Sequence, residues 1–374
     1  MAGIYIHIPF CKQACHYCNF HFSTSLQLID HMTAALIKEL ALASTHEKEP
    51  VETIYFGGGT PSLFSGSAIK ELLDAIKNNY VQYDDAEITL EANPDDITPE
   101  KLLIWKAAGI NRLSIGIQSF KQQDLQWMNR AHNTSQASTC ITLAKDAGFE
   151  NFSADLIYGT PGLSDEEWKT NVEQLVSLGA PHIACYALTV EPNTALQKMI
   201  LLKKKAAPNS DQQARQYLLL LKWMRDFGYE HYEISNFARP GCRSRHNSSY
   251  WQGRKYIGIG PSAHSYDGIA RKWNVSNNAL YIASINNNII PYEEEKLTPV
   301  QRLNEYIMTS LRTIDGLDLR FVENTFSWED SDKIRHAVKE YDERQWIILS
   351  NDTLVLTDEG KLFADGIAAR LFSL

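Results

Sequence analysis

Hydrophobic and polar positions along this chain follow two alternating periods. Six short runs rich in β-branched and aromatic residues read as strands: IYIHI (4–8), TIYFGGGTP (53–61), EITLEANP (87–94), RLSIGIQSF (112–120), FSADLIYGTP (152–161) and HIACYALTVEP (182–192). The stretches between them carry helical period, which predicts βαβ units around a parallel sheet.

The helices announce themselves by their faces and their ends. Over 65–80, Ile69, Leu72, Leu73 and Ile76 share one face. Ser164 with Glu167 three residues later forms a capping-box pattern before WKTNVEQLV, and a last helix of the series is predicted over 210–227.

Six strand–helix units build either an open sheet or a barrel, and in both a ligand meets the carboxyl ends of the strands. Residues with chemistry to offer fall at those ends: Gly57, Gly58, Gly59 and Thr60, then Glu91, Gln118 and Asp155. After about residue 230 the rhythm stops. Residues 231–295 are rich in Gly, Pro, Ser and Asn yet hold many aromatics, so they read as a functional connecting segment rather than disorder. From 296 to 374 a helix near 299–314, a hairpin over 346–357 and a final helix predict a small α+β domain of winged-helix type. Its stretch 291–374 carries 17 acidic against 10 basic side chains, so it reads as structural or partner-facing rather than DNA-binding.

Composition changes this picture only at its borders. With 374 residues, 44% apolar, the chain has material for one large domain (1–230) and a smaller one. A net charge of −9 gives nucleic acid or an anionic membrane no electrostatic footing, and an anionic ligand needs its own local arginines. No apolar run approaches the roughly 20 residues of a transmembrane helix. The start MAGIYIHIPFC lacks a basic region and a long apolar run, so no secretory signal is expected. Cys140, Cys185 and Cys242 are scattered singly, which argues against a disulfide framework and for a reducing cytoplasm.

The remaining three cysteines, Cys11, Cys15 and Cys18, crowd into CKQACHYCNF directly after the first predicted strand. A four-iron cubane held by three thiolates keeps one iron open, and an open iron chelates the amino and carboxylate groups of a small molecule. The competing reading is a Cys3His zinc site completed by His16 or His21.

The C-x3-C-x2-C spacing with Tyr17 before the last cysteine resembles the radical S-adenosylmethionine superfamily. Together YIHIPFC, GGGTPS, EANP, GIQSF, DLIYGTPG and LTVEPNT resemble its oxygen-independent coproporphyrinogen III oxidase family, over essentially the whole chain. That resemblance implies a partial (βα)6 barrel with a [4Fe–4S] cluster on Cys11, Cys15 and Cys18. It also implies S-adenosylmethionine contacted by Tyr5, Tyr17, Gly58, Gly59, Thr60, Glu91, Gln118, Arg130, Asp155 and Ala187. Arg130 would pair with the carboxylate, and Glu91 or Asp155 would accept from ribose hydroxyls.

Two departures matter. The oxidases carry a fourth cysteine where this chain has Phe20, and an N-terminal arm of several dozen residues where only ten precede Cys11. A sister branch, the HemW-type heme chaperones, is similar to this chain in both respects and carries an H-N-x-x-Y motif, supplied here by His246, Asn247 and Tyr250. Four residues apart, His246 and Tyr250 share one helical face from which either reaches a heme iron. Arg243, Arg245 and Arg254 stand nearby for heme propionates, and Cys242 is a further soft ligand. This branch implies heme binding and transfer to acceptor hemoproteins such as those of the respiratory chain, at the membrane if the acceptor sits there. The cluster would serve dimerisation or redox control of release. Oxidative decarboxylation of coproporphyrinogen III is the alternative activity.

Overall fold

The computed structural model describes residues 3–44 and 49–373. Six parallel strands wind in sequence order: β1 (Gly3–Ile8), β2 (Val51–Gly58), β3 (Gln82–Ala92), β4 (Arg112–Gln118), β5 (Phe152–Tyr158) and β6 (His182–Ala187). Each neighbours the next, with no reversal of order, so the α/β sheet is wound as a barrel rather than doubly wound.

The helices between these strands are α1 (Ile29–Ala43), α2 (Gly66–Asn79), α3 (Pro99–Ala108), α4 (Gln122–Met128), α5 (Thr134–Asp146) and α6 (Asp165–Ser177); α7 (Ala195–Leu201) and α8 (Ser210–Asp226) follow β6. The local signals act as expected. Ser65 Oγ accepts from Ala68 N at 3.1 Å to start α2, and the Ser164–Glu167 capping box closes on itself at 2.9 and 3.2 Å. Ile69, Leu72, Leu73 and Ile76 are buried together, as the periodicity requires.

Alternation along the strands separates two environments. Ile4, Ile6 and Ile8 on β1, Ile54 and Phe56 on β2, and Leu113 and Ile115 on β4 face the helices and form the main core. Their neighbours, including Tyr5, Tyr55, Arg112, Ser114, Ser153 and Asp155, face the barrel interior, which is unusually polar. Buried polar groups there need partners, and the network below supplies them.

Residues 231–295, expected as a connecting segment, contribute instead to the same 12-stranded sheet. Strands β7 (Glu230–Glu233) and β8 (Asn236–Ala238) add antiparallel pairs beyond β6, and after the short helix α9 (Arg245–Trp251), β9 (Tyr256–Ile259) pairs parallel to β1. The strands β10 (His264–Tyr266), β11 (Ala270–Asn274) and β12 (Tyr292–Lys296) extend that edge. Strands this short, rich in glycine and polar residues, carry too little alternation to read from sequence. The two edges of the sheet, β7 and β12, do not pair with each other, so the barrel is partial. Beyond it, helices and a three-stranded sheet pack on a separate core of Leu303, Ile307, Leu317, Leu354, Leu356 and Ile367, the expected small α+β domain.

Candidate cofactor site and the histidine–tyrosine motif

The mouth of the barrel begins with the loop leaving β1. Cys11 N donates to Ser23 O at 3.0 Å and Ser23 N to Pro9 O at 2.9 Å, closing residues 11–22 into a pinched loop that carries all three clustered cysteines. Struts from four directions hold it. Lys12 pairs with Asp95 at 2.8 Å and with Asp96. Gln13 Nε2 donates to Asn129 Oδ1 at 2.9 Å, Asn129 Nδ2 donates back to Ala14 O at 2.7 Å, and His16 N donates to Met128 O at 3.1 Å. Leu196 N, at the start of α7, donates to His16 O at 2.7 Å. Tyr17 packs on an apolar plug of Leu125, Met128, Ile157, Leu188 and Leu196. Asn129 ends α4 in the left-handed region (φ 61°), a conformation Asn tolerates, and this turns Arg130 toward the cysteines.

Beneath the loop lies a cavity of about 530 Å³. Cys11, Cys15, Cys18, Tyr17, Gly58, Gly59, Thr60, Glu91, Gln118, Arg130, Asp155 and Ala187 all line it, so residues scattered over more than 170 positions of sequence meet at one place. Tyr5 is the exception among the residues expected to contact the cofactor. It stands one layer deeper, its hydroxyl 3.1 Å from His7 Nδ1, its ring beside the stacked pair of Tyr55 and His246, 6.1 and 6.5 Å from them. Its register partner is Tyr55, in mid-strand, whereas the cavity opens at the strand ends.

The glycines are needed for space. A Cβ on Gly59 would lie 2.5 Å from Phe10 O, and one on Gly58, at φ +107°, would strike the His7 ring. Gln118 closes β4 at φ 66°, a strained position for a side chain of its size, beside a shift in the β4–β5 register. Arg130 is wedged between loop and barrel: one terminal nitrogen is 3.4 Å from Cys15 Sγ and 3.5 Å from the Tyr17 hydroxyl, the other donates to Asn93 Oδ1 at 2.7 Å, and its Nε is buried with no partner.

Burial governs the charges here. It pushes the Cys11 thiol up to about 11 and Cys18 in the same direction, so both are protonated when no metal holds them. It raises Glu91 to about 7, where a hydrogen bond from the Tyr55 hydroxyl (2.8 Å) opposes the shift, and Asp155 to about 6. Sequence reading passed over Tyr55, Asn93, Ser114 and Asn129. Tyr55 and Ser114 had a usable signal, since they share the inward parity of Gly57 and Gly116 on their strands.

The two histidines of the single-zinc alternative are each bonded elsewhere. Among the described residues no group of three or more His, Cys, Asp or Glu is placed to hold one metal ion. His16 Nδ1 is engaged by Lys205 Nζ at 2.8 Å, and His21 Nε2 by Asn278 Oδ1 at 2.7 Å.

The H-N-x-x-Y motif lies at the other end of the barrel. His246 and Tyr250 sit on α9, which packs against the starts of β2 and β3. His246 is 1% exposed, with Nδ1 2.8 Å from Thr53 Oγ1, Nε2 2.9 Å from the Tyr250 hydroxyl and its ring stacked 4.9 Å from Tyr55. Burial lowers it to about 3, so it is neutral. The shared helical face is therefore used to bond the two residues to each other. The three arginines have partners already: Arg243 with Glu230 (2.7 Å), Arg245 with Asp85 (3.2 Å) and Arg254 with Glu52 (2.7 Å). Cys242 is half-buried and carries no disulfide.

Comparison with known proteins gives these sites a context. The radical S-adenosylmethionine superfamily matches residues 5–175, and the HemN C-terminal domain matches residues 297–363. A Mycobacterium tuberculosis protein named heme chaperone HemW is 36% identical over 375 residues, covering 99% of this chain and 94% of its own. A Bacillus subtilis protein of the same name is 34% identical, covering 98% of each. This chain belongs to the HemW family. The coproporphyrinogen III oxidase HemN of Escherichia coli shares its fold, with a TM-score of 0.86 over 100% of this chain and 90% of its own at 21% identity. Membership in the HemW family, a branch of the radical S-adenosylmethionine superfamily, implies a [4Fe–4S] cluster and S-adenosylmethionine. The residues present fit both groups. Three unpaired thiols border the cavity, a cubane spreads such thiolates over different irons, and the buried Arg130 Nε awaits an acceptor.

Proposed function

We propose that this protein binds heme and hands it to acceptor hemoproteins, including those of the respiratory chain. In this reading Cys11, Cys15 and Cys18 hold a [4Fe–4S] cluster, and the lining residues around Arg130, Glu91 and Asp155 hold S-adenosylmethionine. One observation carries the reading: near-full-length relatives at 34–36% identity are named heme chaperones. Phe20, where the related oxidases have a fourth cysteine, argues in the same direction.

The cavity lining supports a division of labour toward S-adenosylmethionine. Arg130 would meet the methionine carboxylate, and Glu91 and Asp155 the ribose hydroxyls. Gly58 and Gly59 let the backbone approach closely. The cluster, when bound, supplies one-electron chemistry.

Heme, as cargo, must be held reversibly. His246 suits this because its Nε2 is masked by Tyr250 while Nδ1 faces Thr53 Oγ1, the arrangement in which a ligating imidazole is oriented by its other nitrogen. Ligation then requires Tyr250 to swing away, and its return assists release. Heme titration of wild type, His246→Gln and Tyr250→Phe tests this. If His246 is the ligand, Tyr250→Phe binds heme more tightly than wild type and His246→Gln more weakly. Weaker binding by Tyr250→Phe with unchanged binding by His246→Gln would assign the iron to Tyr250 instead. Heme binding by none of the three proteins would overturn the chaperone reading. Anaerobic incubation of the cluster-loaded protein with S-adenosylmethionine, a reductant and coproporphyrinogen III should yield no decarboxylated porphyrin, and catalytic product would restore the oxidase reading.

A further inference from the structure

Below the cofactor cavity the barrel interior holds a line of polar groups that the site just described does not use. Ser153 and His182 face each other across the β5–β6 pair. Ser153 Oγ lies 3.1 Å from Asp155 Oδ1 on one side and 2.8 Å from His182 Nδ1 on the other. His182 Nε2 is 2.8 Å from the Tyr232 hydroxyl. His182 is fully buried and Ser153 and Tyr232 nearly so. Tyr232 borders a second cavity, about 230 Å³, between α9 and the C-terminal domain, and its carbonyl accepts from Ile314 N at 3.0 Å. An unbroken hydrogen-bonded line thus joins the carboxylate at one cavity to the phenol at the other.

The direction of the protons along this line is set from its ends. Ser153 has one hydroxyl proton. When it donates to an ionised Asp155, it can only accept from His182, so the imidazole carries its proton on Nδ1 and Nε2 accepts from Tyr232. When the carboxyl group is itself protonated and donates to Ser153, every bond reverses and the imidazole proton moves to Nε2. Burial keeps His182 neutral, as either arrangement requires. The titratable and polar groups facing Asp155, besides Ser153, are Tyr55 on β2, Glu91 on β3, Arg112 and Ser114 on β4, Cys185 and Tyr186 on β6, and Arg130, so a cationic ligand entering beside Glu91 tips the carboxyl group toward ionisation.

We propose that Ser153, His182 and Tyr232 are positioning residues that fix Asp155 as a hydrogen-bond acceptor for the ribose of the bound cofactor, and that cofactor binding sets the His182 tautomer. The inference rests on S-adenosylmethionine occupying the cavity. It couples that cavity to the junction with the C-terminal domain through Tyr232, which does not touch the ligand.

The test uses cluster-loaded protein labelled with ¹⁵N-histidine. His182 is assigned from the signals lost in His182→Gln, and long-range ¹⁵N–¹H spectra report which ring nitrogen carries the proton. Adding S-adenosylmethionine should convert the His182 pattern to the Nδ1–H form. Ser153→Ala should abolish that response and weaken S-adenosylmethionine about threefold to tenfold, the loss expected for one hydrogen bond. Tyr232→Phe, which deletes one hydroxyl and should fold as wild type, should also weaken binding and shift the His182 signals. S-adenosylmethionine that binds without altering the His182 pattern, or with the same affinity in Tyr232→Phe, overturns the relay. Failure of S-adenosylmethionine to bind wild type overturns the cofactor assignment and the relay with it.

Discussion

At the scale of single residues, the cavity trades stability for chemistry. Two carboxyl groups, Glu91 and Asp155, and two thiols, Cys11 and Cys18, are held in a buried space, and each is shifted toward its neutral form by desolvation. Glu91 provides a signed test. Its folded value, about 7, lies above its ordinary value of 4.5, so its contribution to stability is complete below the ordinary value and is lost as pH rises through the folded one. Glu91→Gln removes that loss. The thermal midpoint of the ligand-free variant should therefore gain on wild type between about pH 5 and pH 8. A gap independent of pH would show that Glu91 is not buried in this way. Cys15→Ala should leave protein that takes up no full four-iron complement, measured as iron and acid-labile sulfide after anaerobic reconstitution. Residue by residue, the sequence motifs pointed to side chains that the fold gathers around one cavity, as for the cysteines, Gly58, Gly59 and Asp155. Tyr5 lies one layer below the cavity lining, because strand parity tells which face a side chain takes and not how deep along the barrel it sits. For Arg130, the contact with Cys15 depends on the left-handed turn at Asn129, which nothing in the local sequence announces.

At the scale of elements, the cysteine loop is the part whose order matters most, and its supports come from elsewhere in the chain. The Asn129 side chain bonds Gln13 and Ala14, and Lys205 reaches His16 and stacks 4.3 Å from the Trp127 ring. Asn129→Ala deletes two of these bonds and forces an alanine into the left-handed region, at a cost of about 1–3 kcal/mol. Faster loss of the reconstituted cluster to a chelator than in wild type is the expected outcome, with circular dichroism otherwise unchanged. The six parallel strands were legible because buried strands concentrate apolar, β-branched residues and helices between them keep a 3.6-residue period. Strand β9 escaped because four residues beside a glycine turn have no period to show, and its parallel pairing with β1 is set by the barrel as a whole.

At the scale of the whole molecule, the barrel carries a candidate site at each end. The cysteine loop and its cavity occupy the carboxyl ends of the strands, while α9 with His246 and Tyr250 closes the amino ends. Among the described residues no helix is long and apolar enough to cross a membrane. Cargo bound at one end and cofactors at the other would leave each site free to be engaged separately, with the polar interior between them. His246→Ala would open a void and remove a hydrogen bond each from Thr53 and Tyr250, costing about 2–4 kcal/mol, so Tyr250→Phe is the sounder probe of the proposed cargo site. The central claim is that heme is passed on. The most direct measurement mixes heme- and cluster-loaded protein with an apo-hemoprotein of the respiratory chain, separates the two and records both spectra. Heme should leave this protein and appear in the acceptor, faster than free heme released in the presence of an inert carrier. Heme that stays bound, or moves no faster than from the inert carrier, would contradict the account.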